Sequence, residues 1–257
     1  GLPPFRALLS GVQPFALRFN SGPLVGRYGH SMAVVGAKFF VFGGLDSAGE
    51  YRNDVWSFET TTNTWALAKA DDNAGAGVVD VNFPKKRYYH AMAVVGTKLF
   101  VFGGLDSAFA NRNDVWSFET TTNTWALAKA DDNAGAGVVD VNYPKKRQGP
   151  TMAALGTKLF VFGGLDSASA YRNDVWSFET TTNTWALAKA DDNAGSGFVD
   201  VNFPKKRFAH SMAIVGTKLF AFGGLDSTGA YRNDVWSFET TTNTWALAKA
   251  DDNAGSG

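Results

Sequence analysis

Three histidines, His30, His90 and His210, recur at one position of a 60-residue period. Imidazoles converging on one axis could ligate a metal. The fourth equivalent position holds Pro150, so such a ring is incomplete and the histidines read as structural. Asp71, Asp72, Asn73 and Asp80 form an oxygen-rich stretch. A calcium loop would need a third oxygen ligand at the fifth position, where Gly75 stands, so the stretch reads as a solvated turn. Lys85-Lys86-Arg87 is a basic triplet, but Asp71-Asp72 opens the same loop. Gly43-Gly44 is followed by no helical pattern and no Gly-Lys-Ser/Thr, which excludes a phosphate loop. Backbone geometry explains that pair, since glycine reaches dihedrals that side chains forbid. No Ser-His-Asp arrangement stands out. Catalysis needs an asymmetric set of different groups, and near-identical repeats supply symmetric rings instead. The reading is therefore non-enzymatic, with no catalytic residue, no metal ligand and no cofactor assigned.

The composition supports a large buried core and little else. Apolar residues make up 45% of 257 residues, and 24 Lys and Arg balance 24 Asp and Glu. Phosphate binding requires a clustered excess of cations, so no nucleic-acid partner is expected. No run of 18 apolar residues occurs, so no membrane insertion by a helix is expected. The absence of cysteine rules out disulfides and thiolate sites. It leaves both a cytoplasmic and a secreted location open. The chain starts at Gly1 and stops inside a loop, so both ends are expected to be cut from something longer.

The elements that must position these side chains come from an internal repeat. Trp56, Trp116, Trp176 and Trp236 are 60 residues apart, and so are Trp65, Trp125, Trp185 and Trp245. The stretch RNDVWSFETTTNTWALAKADDNAG starts at Arg52, Arg112, Arg172 and Arg232 without a substitution. Each repeat reads as four short strands, such as SMAVV (31–35), KFFVF (38–42), DVWSFE (54–59) and TWALAK (64–69). Alternation with period two is clear in the last two. The first two are nearly continuous apolar runs, as expected for strands covered on both faces. Hairpin-length links join the first strand to the second and the third to the fourth. Four antiparallel strands repeated about an axis make a propeller blade, with both tryptophans of each repeat mostly buried.

FVFGG at 40–44, Trp56 and Trp65, led by Arg27-x-x-His30, resemble the Kelch repeat. The resemblance covers about residues 27 to 250 and implies an all-β fold: a β-propeller of four-stranded antiparallel Kelch-type blades. The expected division is blade 1 at 27–86, blade 2 at 87–146, blade 3 at 147–206 and a shortened blade 4 at 207–257. Residues 1–26 do not follow the repeat; Phe15-Ala16-Leu17-Arg18 reads as the remnant of an upstream blade. The period exceeds the roughly 50 residues usual for Kelch. Kelch propellers usually close with six or seven blades, so self-association or additional blades are expected to complete the ring. Propeller enzymes offer no match. A galactose-oxidase-like site needs a cysteine crosslink, and no sialidase-like box is present.

Strand order places the second-to-third loop and the inter-blade link on one face. Long loops on a rigid scaffold are where binding resides. Differences among the repeats cluster there. After the Arg come Tyr28, Tyr88-Tyr89, Gln148 and Phe208, and in the other loop Tyr51, Phe109, Tyr171 and Tyr231. These residues, with Arg87, Arg147 and Arg207 as hydrogen-bond donors, form the expected binding rim. The implied partner is a protein or peptide, with a glycan as the alternative ligand. A structural repeat unit of a cell-surface or filamentous assembly is the competing reading.

Overall fold

The computed structural model describes residues 24–72, 82–132, 142–192 and 202–252. Residues 1–23, with the expected upstream-blade remnant, lie outside that set, as do Asn73 and Asp80. The described chain is all-β, a propeller of four antiparallel four-stranded blades. Blade 1 consists of Ser31–Val35, Lys38–Asp46, Tyr51–Glu59 and Thr64–Lys69, hydrogen-bonded in chain order. Ala91–Val95, Thr151–Leu155 and Ser211–Val215 open blades 2, 3 and 4. These first strands lie side by side at the axis.

Local chemistry sets the ends of each blade. Asn63, Asn123, Asn183 and Asn243 take a left-handed conformation at the third-to-fourth turn, which asparagine tolerates better than most residues. Thr60 N donates to Ala37 O at 3.2 Å, so the two short turns share the bottom face. At the opposite end a two-residue ladder, not foreseen from sequence, pairs Arg27 with Asp46 and Tyr28 with Leu45. It recurs before every blade and ties the described end of each inter-blade link to the strand that precedes the second-to-third loop.

The core lies in the seams between blades. Phe40, Phe42 and Val55 of blade 1 pack against Met92, Leu99, Val101 and Phe118 of blade 2. The same faces meet between blades 2 and 3 and between blades 3 and 4. Full burial of one such side chain stabilises by about 1.5–3 kcal/mol. Trp56, Trp116, Trp176 and Trp236 are buried. Trp65, Trp125 and Trp185, on the outer strands, are only half-buried, while Trp245 on the equivalent strand of blade 4 is buried.

Candidate partner-binding rim

The repeat-invariant charges form the support of the top face. Arg87 donates to both carboxylate oxygens of Asp114 at 2.6 and 2.7 Å, and to Gly103 O and Lys85 O. Asp114 also accepts from Trp116 Nε1 at 2.9 Å. The set repeats as Arg147–Asp174–Trp176 and Arg207–Asp234–Trp236. Burial alone would raise the Asp174 carboxyl, but Arg147 outweighs it and holds the group below its ordinary value. Each pair ties the lead of a blade to its third strand.

A second network holds the long loops. Asp106 accepts from Ala108 N at 2.9 Å and Ala110 N at 3.0 Å, and from Arg112. Arg112 also reaches Asp131 at 2.8 Å. Asn113 Nδ2 donates to Pro144 O at 2.9 Å while its Oδ1 accepts from Asp132 N at 3.1 Å. The identical RND triplet is therefore a clamp on the inter-blade link.

The variable residues sit on this clamp. Tyr88 and Tyr89 lie 4.6 Å apart between ring centroids. Tyr28 meets them edge-on at 6.0 and 6.2 Å. Tyr51 meets Tyr88 at 5.2 Å and Phe109 at 6.2 Å. Five rings from blades 1 and 2 thus form one patch, with Tyr28 and Phe109 strongly exposed. Partial burial raises the Tyr51 and Tyr88 phenols above their ordinary value of 10.0, so both stay neutral. A second pair, Tyr171 and Phe208, joins blades 3 and 4 at 5.6 Å. Gln148 is half-buried between the two groups in sequence, and Tyr231 is exposed without a ring contact among the described residues. Tyr89 and Phe109 hold left-handed backbones, with φ of 52° and 57°. Ala209 and Ser169 hold the same conformation at the equivalent positions, with φ of 54° and 58°, so the turn belongs to every repeat.

The arginines need correction. Arg87, Arg147 and Arg207 are fully buried beneath the rim, with their guanidinium groups committed to the blade. A bidentate aspartate is a better partner for a buried fork than any ligand crossing a wall of aromatic rings. Sequence reading also missed two devices of the seam. Ser31 Oγ lies 2.6 Å from His90 Nε2, and Thr151 Oγ1 lies 2.6 Å from His210 Nε2. At the axis Tyr89 N donates to Gly29 O, Gly149 N to Tyr89 O and Ala209 N to Gly149 O, at 2.8, 2.7 and 3.1 Å. The signal for the first was available: the residue at 31, 91 and 151 changes together with the residue at 90, 150 and 210.

Blades with a glycine pair, paired tryptophans and a buried Arg–Asp lead define a Kelch-type propeller. The family model of the KLHDC2/KLHL20/DRC7 Kelch-repeats domain matches residues 16–138, 71–198 and 137–256, and the chain belongs to that Kelch-repeat family. It is 26% identical over 244 residues to Kelch domain-containing protein 3 of Bos taurus, covering 90% of this chain and 58% of that protein. It is 34% identical over 149 residues to N-(sulfonatooxy)prop-2-enimidothioate sulfolyase of Thlaspi arvense, covering 57% of this chain and 38% of the relative. Host cell factor of Drosophila melanogaster is 26% identical over 206 residues, covering 76% of this chain and 13% of its own length. The chain thus spans little more than half the length of the first of these relatives, and less of the others.

Proposed function

We propose that this chain is a protein- or peptide-binding propeller module whose contact surface is the aromatic patch of Tyr28, Tyr51, Tyr88, Tyr89 and Phe109. One observation carries the reading: positions that differ among nearly identical repeats meet as a contiguous set of rings on the long-loop face. Aromatic side chains give large contact area at low entropic cost. The charged groups beneath are already paired, so selectivity comes from the rings themselves. Membership in the Kelch family supports a binding role over catalysis. The bottom face offers less. Its threonines repeat unchanged and bond within their own turn, as Thr62 does with Thr64 at 2.7 Å.

The test selects peptides from a displayed random library on the intact chain and measures their affinity for three proteins. The rim variant carries Tyr88→Gln, Tyr89→Ala and Phe109→Ser, each residue copied from the equivalent place in another blade. Ala209 and Ser169 already hold the left-handed conformations concerned, so the backbone tolerates these changes. The bottom variant carries Thr61→Ala and Thr62→Ala. Loss of tenfold or more in affinity for the rim variant alone is expected, about 1.4 kcal/mol or more. Loss confined to the bottom variant would move the site and favour the structural-repeat reading. Oligosaccharide binding that depends on the same rings, with no peptide selected, would favour the glycan alternative.

A further inference from the structure

We propose that the open face of blade 4 docks onto the open face of blade 1 of a second copy of this chain, head to tail, pairing Ser211 with His30. The chain itself displays this interface three times. Each internal seam joins the face carrying Phe42, Phe102 or Phe162 to the next blade's face carrying its methionine and its second-strand leucine. Among the described residues both faces recur without a partner blade, on blade 1 and on blade 4. Phe222 is 52% exposed, whereas Phe42, Phe102 and Phe162 are 0% exposed. Met32 is 58% exposed, against 9% for Met92 and 8% for Met152. Val34 and Val215 extend the two apolar faces at 63% and 67%. Among the described residues no core cluster joins blade 4 to blade 1.

The polar bonds of the seam stop at the same place. Gly104 N donates to Arg147 O at 2.9 Å and Gly164 N to Arg207 O at 2.8 Å. Gly224, their counterpart in blade 4, makes no such bond among the described residues. The axial run that begins at Gly29 ends at Ala209.

Seam chemistry then names the occupant. A hydroxyl opens the first strand wherever histidine leads the next blade, in Ser31 with His90 and Thr151 with His210. Where Pro150 leads, Ala91 stands opposite, with no group left to satisfy. Blade 4 opens with Ser211 and so fits a blade led by histidine. Blade 1 is led by His30 and so fits a blade that opens with a hydroxyl. Both residues are exposed. A second copy supplies both halves of the match, twice over. Such head-to-tail contacts close a ring when the rotation permits and otherwise extend. Two copies joined at both ends close one ring and satisfy every seam.

Two experiments test this on the full chain. Light scattering at rising concentration is expected to show about twice the 27.6 kDa chain mass. Val34→Glu and Phe222→Glu each alter an exposed position, so each variant keeps its β-sheet circular dichroism and a cooperative thermal transition, and each alone is expected to stay monomeric. Mixed, they still share one intact pair of faces and are expected to form a one-to-one complex. A wild-type chain that is monomeric at every concentration overturns the proposal, and so does a dimer unaffected by either change. The second experiment places Ser211→Cys and His30→Cys in one chain that has no other cysteine. Mild oxidation is expected to join two chains in a non-reducing gel. A crosslink confined within single chains would show blade 4 closing on its own blade 1, and would overturn the second copy as occupant.

Discussion

Ser31 Oγ and His90 Nε2 meet at 2.6 Å across the seam of blades 1 and 2, beside the ring of Phe42 at 4.8 Å. Burial and the charge of Arg87 push this imidazole down to about 3 from its ordinary 6.5, and burial with Arg207 does the same to His210. The unfolded chain takes up a proton at each histidine below pH 6.5, while the native chain does not until about pH 3. Stability therefore falls as pH drops through that window, by about 1.4 kcal/mol per unit for each histidine. From pH 7 to pH 5 the two together remove about 4 kcal/mol. Burial would raise the loop carboxyls of Asp46, Asp106, Asp166 and Asp226, but their hydrogen bonds hold all four below the ordinary 3.8, Asp226 at about 2, and the stability they add is lost mainly below that unfolded value. The check is urea unfolding at both pH values. A variant with Ser31→Ala, His90→Pro, Thr151→Ala and His210→Pro copies the Ala91–Pro150 seam and is expected to lose most of the acid sensitivity. Equal loss in both proteins would rule the histidines out.

Arg87 and Asp114 form a buried bidentate pair at 2.6 and 2.7 Å. Removing one partner leaves an uncompensated charge in the blade. Asp114→Ala is expected to cost about 3–5 kcal/mol in equilibrium unfolding. Arg87→Met with Asp114→Leu removes both charges and is expected to recover a large part of that loss. A double variant as unstable as the single one would show that shape, not charge, sets the cost.

Gly103 and Gly223 hold the same left-handed backbone, with φ of 67° and 70°. Their surroundings differ. A Cβ on Gly103 would lie 2.9 Å from Arg147 O of the next blade, whereas on Gly223 it would meet only Arg232 O of its own blade, at 3.1 Å. Gly223→Ala is expected to cost about 1–2 kcal/mol for the backbone conformation alone. Gly103→Ala is expected to cost visibly more, because the neighbouring backbone cannot yield. Equal shifts in thermal midpoint would mean that the seam does not constrain this glycine.

The tandem tryptophans and the glycine pair made the blades legible in sequence, because alternation in strands reports which face is buried. The proposed rim was legible only as a set of variable positions, since the repeats diverge at Tyr88, Tyr89 and Phe109. Its chemistry was only half legible. Arg87 stands next to Tyr88 in the chain, but successive residues of a strand point to opposite faces, and the arginine turns inward to Asp114, 27 positions away. Nothing local in the chain announces that partner. The Ser31–His90 pair spans 59 positions and belongs to two blades, so it emerges only when one repeat is compared with the next.

Phe102 and Phe222 occupy equivalent strand positions in nearly identical blades, yet the first is fully buried and the second 52% exposed. Position in the ring, not sequence, makes that difference. Phe102 packs in the seam with blade 3, where its ring meets Trp185 at 5.1 Å. Phe102→Ala is expected to cost about 3–5 kcal/mol through lost burial and the cavity left behind. In a monomeric chain, Phe222→Ala is expected to cost well under half as much. The two values respond differently to protein concentration. The cost at Phe102 stays constant, since its seam lies within one chain. The cost at Phe222 rises with concentration if a second copy covers that face, because association then stabilises only the protein that retains the ring. Thermal midpoints of both variants across a hundredfold range of concentration measure this. A flat difference at Phe222 would leave that face solvated in every state sampled.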